Sequence, residues 1–271
     1  MQRLDQTLVA RQLVTSRTAA VRHIRAGEVL VNGQLATKAA SKVTAEDVIE
    51  LTISGPQYAS RAGHKLAGAL QTFPEVSVAD ARCLDAGAST GGFTDVLLQH
   101  GAREVIAVDV GHDQIVSRLR QDPRVDVREG VNVRYLEPED IGDPVDIVVS
   151  DLSFISLTLV ITALVGVSRA EADLIFMIKP QFEIGRERLP KTGVVTEPAQ
   201  RREAVLNVVS AAVAENVVPR GLTASPLPGQ DGNKEFFFWA TKLAPGAELP
   251  HRGNAAQWVD AQKVDWADVL D

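Results

Sequence analysis

Residues 84–93 read LDAGASTGGF, an apolar strand running into a glycine-rich turn and then a helix. Such a turn aims backbone N–H groups and a helix N-terminus at a nucleotide-like ligand. A dinucleotide fingerprint, G-x-G-x-x-G, needs its second glycine where the backbone approaches a pyrophosphate. Here Gly87, Ser89 and Gly92 occupy the three positions, so that glycine is a serine. Asp85 at the strand end would repel phosphates and attract a cation. S-adenosylmethionine has no phosphate and carries an ammonium and a sulfonium. The turn therefore predicts a methyl donor in preference to NAD, held by Asp85, Gly87, Ala88, Ser89, Thr90, Gly91, Gly92 and Phe93.

Further charges stand at the ends of apolar runs. Asp109 closes VIAVD, at the spacing from the turn where a carboxylate takes the two ribose hydroxyls of a cofactor. Asp151 closes IVVSD, Lys179 closes LIFMIK, and Glu235 opens the run EFFFW. Singly, each is equally well a solubilising strand end. Together they set Asp, Lys and Glu where one sheet rim could gather them, and Lys65 could join from the helix before the first strand. Taken alone, Lys65 reads as a surface lysine. Phe154, just after Asp151, has two readings: a ring that stacks on a base or adenine, or a core residue at a helix start.

The elements that must position these residues alternate. Short, β-branched-rich runs near Cys83–Ala86, Val105–Val108, Val125–Val127, Val145–Val149 and Leu174–Ile178 read as buried parallel strands with helices between them. After a helix over Pro198–Glu215 come Leu222–Leu227 and Phe236–Ala240, joined by the turn-rich PGQDGNK, which predicts antiparallel pairing at the sheet edge. The fold class is α/β: a class I, Rossmann-like methyltransferase sheet with an antiparallel terminal hairpin, whose ligands sit at the strand ends near the topological switch point.

Net charge is −7, but it is unevenly spread. Residues 1–42 hold Arg3, Arg11, Arg17, Arg22, Arg25, Lys38 and Lys42 against Asp5 and Glu28, a segment of +5 that leaves −12 for the remainder. That asymmetry fits a small nucleic-acid-binding unit on an acidic catalytic one, and equally an ordinary solvated helical face. Leu4, Leu8, Val9 and Leu13 follow helical spacing. Ser16 looks like the N-cap of a second helix that Gly27 ends, and Asn32-Gly33 gives the type I′ turn of a hairpin.

These patterns resemble known families. RLDQTLV followed by SRTAAVRHIRAGEVLVNG is similar to the S4 domain, a small α+β RNA-binding unit. That resemblance implies binding to structured RNA by shape and backbone, with Arg3, Arg11, Arg17, Arg22, Arg25, Lys38 and Lys42 as the basic contacts. Glu28 departs from the basic residues common in such domains. Lys65, Asp151, Lys179 and Glu235 match, in order and setting, the K-D-K-E tetrad of FtsJ-like RNA 2′-O-methyltransferases. SRAGHKL, CLDAGASTGGFTDVLL, SDLSFISL, KPQFE and ASPLPGQDGN closely resemble the TlyA family of ribosomal RNA 2′-O-methyltransferases, whose members are often labelled haemolysins. The resemblance runs from Arg3 to about Trp239. It implies methyl transfer from S-adenosylmethionine to a cytidine ribose 2′-OH of 16S and/or 23S rRNA within ribosomal subunits. Lys179 would be the base or hydroxyl-orienting group, Lys65, Asp151 and Glu235 its companions, and Phe154 an RNA contact.

The predicted organisation is an S4-like unit at 1–51, a connector at 52–60, the methyltransferase unit at 61–243, and a C-terminal extension at 244–271 carrying a Trp258/Trp266 stripe that packs on the domain. One cysteine, Cys83, excludes an intramolecular disulfide and reads as core filler. No metal site is expected, since His64 and His112 lack ligand spacing. With no leader pattern and no apolar run of bilayer length, a cytoplasmic monomer without membrane contact is expected. Two other readings stand beside the enzyme. An S4 protein with a non-catalytic methyltransferase domain would lack one of the four residues, and a NAD-linked oxidoreductase would carry glycine at position 89.

Overall fold

The computed structural model describes residues 1–14, 16–25, 27–51, 58–247 and 254–267. The chain divides into two compact units, Met1–Gln57 and Tyr58–Asp271.

The first unit runs β1 (Gln2–Arg3), α1 (Leu4–Ala10), α2 (Arg17–Arg25), β2 (Val29–Val31), β3 (Gln34–Leu35), β4 (Lys42–Val43) and β5 (Ile49–Leu51). Leu4, Leu8, Ala20, Ile24, Val29, Val43 and Ile49 form its small core. Helix α1 stops at Ala10, short of Leu13, because Gln12 turns left-handed at φ 58°. Ser16 accepts a hydrogen bond from Ala19 N at 3.2 Å, the bond of an N-cap. Asn32 and Gly33 both have positive φ, 52° and 77°, as a type I′ turn requires. The expected hairpin is thus β2–β3, and β5 pairs with the other edge of β2.

The second unit opens with α3 (Arg61–Thr72) and continues β6 (Arg82–Ala86), α4 (Gly92–Gln99), β7 (Glu104–Asp109), α5 (Ser117–Arg120), β8 (Val125–Glu129), α6 (Pro138–Ile141) and β9 (Val145–Ser150). Then follow α7 (Ile161–Gly166), β10 (Ser168–Ile178), α8 (Pro180–Glu183), α9 (Pro198–Ala214), β11 (Val217–Ala224), β12 (Phe236–Lys242) and α10 (Ala255–Ala261). Seven strands form one mixed sheet in the order β11-β12-β10-β9-β6-β7-β8. β6 through β10 are parallel, and β12 pairs antiparallel with both β10 and β11.

Side chains alternate across this sheet with the period of two that strands impose. Leu84, Ile106, Val148, Phe176 and Phe238 face one core with Leu164, Val205 and Val259 of α7, α9 and α10. Cys83, Val105, Val149, Ile175 and Phe237 face the other with Leu66, Phe93 and Leu119 of α3, α4 and α5. Each large side chain fully buried this way is worth about 1.5–3 kcal/mol, against about 0–1 kcal/mol for a surface ion pair, so the two apolar layers hold the sheet. Trp258 meets Phe238 edge-on at 5.8 Å and Trp266 meets Phe236 at 5.2 Å, so the C-terminal stripe packs on this unit.

Two strands depart from expectation. β10 begins at Ser168, six residues before the apolar run, through a register shift between Ser168 and Asp173 that the polar stretch SRAEAD conceals. β11 spans Val217–Ala224 instead of Leu222–Leu227, because Pro226 and Pro228 have no N–H for a ladder.

Candidate active site

The chain crosses from β8 over to β9 on the far side of β6, so the carboxyl ends of β6 and β9 form the switch point. Gly87 (φ 90°) leaves β6 there. A Cβ on it would come 2.8 Å from the carbonyl oxygen of Asp151, which follows β9. Only glycine lets these two chain segments lie so close. Gly91 turns again at φ 94° and starts α4.

Asp85 is not placed as expected. It is fully buried beneath the turn, its Oδ2 accepting hydrogen bonds from Thr94 N (2.8 Å) and Thr94 Oγ1 (2.6 Å). The free donors of the first turn of α4 draw the carboxylate inward. Its Oδ1 is buried without a hydrogen-bond partner. Burial, with lesser contributions from Asp151 and Asp109, pushes the carboxyl up to about 7, although the Thr94 bonds pull the other way. Phe93 is a second correction: its ring lies in the core 6.1 Å from Phe237, so only its backbone remains at the turn. Ala88 is buried, whereas Ser89 and Thr90 stand at least partly open. Asp109 accepts from Ser89 N (2.8 Å) and Gly111 N (2.7 Å), tying the glycine turn to the end of β7. Gln114, missed in the sequence, meets Ser89 Oγ at 3.1 Å.

Four charged residues meet along the same rim as two ion pairs. Lys65 Nζ donates to Glu235 Oε2 at 2.5 Å, and both side chains are buried. Lys65 is thus no surface lysine: α3 turns it inward with Leu66 and Ala69. Lys179 Nζ lies 2.6 Å from Asp151 Oδ1, but off the hydrogen-bond direction, since that oxygen accepts no aligned bond. Its aligned bond goes to Ser153 Oγ at 2.9 Å. Lys179 is buried too, at 8% exposure. Each ammonium has its own carboxylate.

Phe154 is 90% exposed and holds a left-handed backbone, φ 65°. It is no core residue. A bulky side chain in that region costs about 1–2 kcal/mol, and an exposed ring returns little burial for it. Its one ring neighbour among the described residues is Phe182, at 5.2 Å.

In the first unit, the buried Asp5 accepts from Arg3 (3.0 and 3.1 Å) and Arg17 (3.0 Å). The bond from Arg3 foremost brings its carboxyl down to about 2, against the opposing pull of burial. Arg11 serves the fold of this unit. It donates to the carbonyls of Asp47, Thr44 and Ala45, because the 44–47 turn leaves those oxygens unpaired. Lys38 and Lys42 are exposed. Glu28 meets His23 at 2.6 Å. The side chains of Arg22 and Arg25, and residues 52–57 of the expected connector, lie outside the described residues.

A sequence profile of FtsJ-like methyltransferases matches residues 58–242, and one of S4 domains matches residues 2–49. A 16S/23S rRNA (cytidine-2′-O)-methyltransferase TlyA of Mycobacterium tuberculosis is 49% identical over 240 residues, covering 88% of each chain. The chain belongs to the TlyA family of FtsJ-like methyltransferases. Haemolysin A of Brachyspira hyodysenteriae is 39% identical over 87% of this chain and 98% of its own. A solved structure from Streptococcus thermophilus, provisionally described as a haemolysin, superposes with a TM-score of 0.72 at 36% identity, covering 96% of this chain and 95% of that one. This TlyA-family chain is accordingly an α/β methyltransferase with an N-terminal S4 domain. Among its described residues, no helix is long and apolar enough to cross a membrane.

Proposed function

We propose that the chain transfers a methyl group from S-adenosylmethionine to the ribose 2′-hydroxyl of a cytidine in ribosomal RNA, within 16S and/or 23S rRNA of the ribosomal subunits. The observation that carries this reading is the gathering of Lys65–Glu235 and Lys179–Asp151 on the rim that also holds the Gly87 turn.

The residues present fit a cationic, phosphate-free nucleoside. The cradle at Gly87 has no room for a Cβ, residues 85–93 contain no lysine or arginine to meet a phosphate, and Asp85 Oδ1 lies beneath the turn without a hydrogen-bond partner. S-adenosylmethionine supplies an electrophilic methyl on a positive sulphur. Asp85, Gly87 to Gly92 and the backbone of Phe93 would hold it, with Asp109 at its ribose and Asp151 nearby.

The chain's own part is to orient a hydroxyl and receive its proton. The hydroxyl oxygen attacks the methyl carbon as the carbon–sulphur bond breaks, and the proton leaves the oxygen. Lys179 is the group at that oxygen: its amine, in the free-base form, takes the proton, or its ammonium orients the hydroxyl. Asp151 and Ser153 hold Lys179 in place, and Glu235 holds Lys65. Phe154 offers an open face on which the target base can stack.

The S4 domain grips structured RNA through Arg3, Arg17, Lys38 and Lys42, with Arg22 and Arg25, and Asp5 presets the first two guanidinium groups. Calorimetry on the full chain separates this reading from a NAD-linked enzyme: binding of S-adenosylmethionine supports it, and binding of NAD alone contradicts it.

A further inference from the structure

The loop after β9 carries Asp151, Ser153 and the exposed Phe154, yet Phe154 has little burial to hold its left-handed backbone. The holding comes from one turn of chain after β10. Lys179 ends the strand in extended conformation and caps α8, whose single turn then carries Phe182 and Glu183. The loop meets these three residues in order. Asp151 and Ser153 contact Lys179, Phe154 contacts Phe182, and Ser156 and Leu157 contact Glu183.

The last contact is the most fully satisfied. Glu183 Oε1 accepts from Leu157 N at 2.9 Å, and Oε2 accepts from Ser156 Oγ at 2.5 Å. Both carboxylate oxygens thus grip the loop immediately beyond Phe154. Among the described residues no cation pairs with Glu183, unlike Asp151 and Glu235, and burial raises its pKa above the ordinary glutamate value. Its surroundings suit a hydrogen-bond acceptor that fixes backbone.

We propose that Glu183 is a positioning residue for methyl transfer, clamping the 151–157 loop so that Phe154 keeps its register with Lys179. The inference rests on the reading of Phe154 as a stacking residue and Lys179 as the group at the hydroxyl. A neutral amide can make the same clamp. Gln would accept from Leu157 N and donate to Ser156 Oγ, whose own hydrogen can pass to Thr158 Oγ1 at 2.7 Å.

The test is a double-mutant cycle on the full chain, read as single-turnover methyl transfer to ribosomal subunits at saturating S-adenosylmethionine. Glu183→Ala is expected to slow turnover about ten- to a hundredfold, the scale of a misplaced reacting group. Its cofactor affinity should stay near wild type, its unfolding temperature should fall modestly as two bonds to the loop are lost, and Glu183→Gln should recover most of the rate. The decisive expectation is non-additivity: Glu183→Ala/Phe154→Ala should be no slower than Phe154→Ala alone. Fold-losses that multiply, or a Gln variant as slow as Ala, overturn the clamp. A Phe154→Ala enzyme at wild-type rate sinks the stacking reading, and a slow Glu183→Ala beside it overturns the link to Phe154. Should Glu183→Ala fail to fold, Ser156→Ala removes one of the two bonds and must show a smaller loss with the same non-additivity.

Discussion

Lys65 and Glu235 lie 170 positions apart in the chain and meet as a buried ion pair 2.5 Å long. One comes from α3, before the first strand of the sheet in chain order, and the other from the residue before its last strand, β12. The pair therefore closes the methyltransferase unit at the rim where its chemistry is gathered. Gly68 of α3 lies against Pro226, and Arg61 donates to Pro228 O at 2.7 Å, so the loop leading to Glu235 is laid along the same helix.

Breaking this pair from one side leaves a buried charge without its partner. Lys65→Ala is expected to destabilise the chain by about 3–5 kcal/mol. Lys65→Met/Glu235→Gln should be markedly less destabilised while still lacking activity, because the uncompensated charge is gone. Denaturant unfolding of the variants checks this. A double variant as unstable as Lys65→Ala would show that packing at Lys65, and not its charge, is what matters.

Asp85 makes both stability and cofactor affinity depend on pH. Its carboxyl is raised to about 7 in the fold, chiefly by burial, against about 3.9 when unfolded. The folded state thus holds the proton more tightly. The cost of ionising Asp85 is absent below about pH 4, grows from pH 4 to about 7, and is complete above that. A cationic ligand over the turn favours the ionised form. Affinity for S-adenosylmethionine should therefore weaken as pH falls below about 7, by up to about tenfold per unit. Asp85→Asn should bind more weakly at pH 8 with a flat profile. Calorimetric titrations from about pH 5.5 to 8 test this, and a flat wild-type profile contradicts it.

Phe154 trades backbone comfort for an open ring. Phe154→Gly relieves the positive φ, so the unfolding temperature should stay level or rise. RNA methylation should fall about five- to a hundredfold, the worth of a base–aromatic stack of ~1–3 kcal/mol. Thermal scans and single-turnover rates on one preparation decide it. A loss of stability with full activity would make Phe154 a structural residue.

Much of this is legible in the residues. The parallel strands are visible because their runs are apolar on both faces, and the glycine turn because Gly87 and Gly91 need positive φ. The four charged residues can be ordered along a rim, since a strand end is readable from where an apolar run stops. Their pairing is not legible. Lys179 meets Asp151 because β10 lies beside β9, and Glu235 reaches the rim because β12 lies beside β10, long-range closures that leave no local pattern. The same holds for Lys65, whose inward face is decided by α3 meeting the 226–235 segment. Asp85 and Phe93 depart from expectation for a more local reason. Which groups of a strand–turn–helix face outward depends on hydrogen bonds such as Thr94 to Asp85, and spacing alone does not distinguish a carboxylate that caps from one that faces a ligand. Glu183 stands within the KPQFE motif, but its grip on Ser156 and Leu157 needs the loop's path in space.

In the proposed reaction Lys179 works on a ribose hydroxyl of ribosomal RNA. The most direct test is tritium transfer from labelled S-adenosylmethionine to isolated 30S and 50S subunits from a strain lacking this activity, with Lys179→Ala alongside. Label on cytidine ribose is expected with the wild-type chain and none with Lys179→Ala, which should still fold and bind the methyl donor. Label on a base, or substantial single-turnover transfer by Lys179→Ala, would contradict this reading.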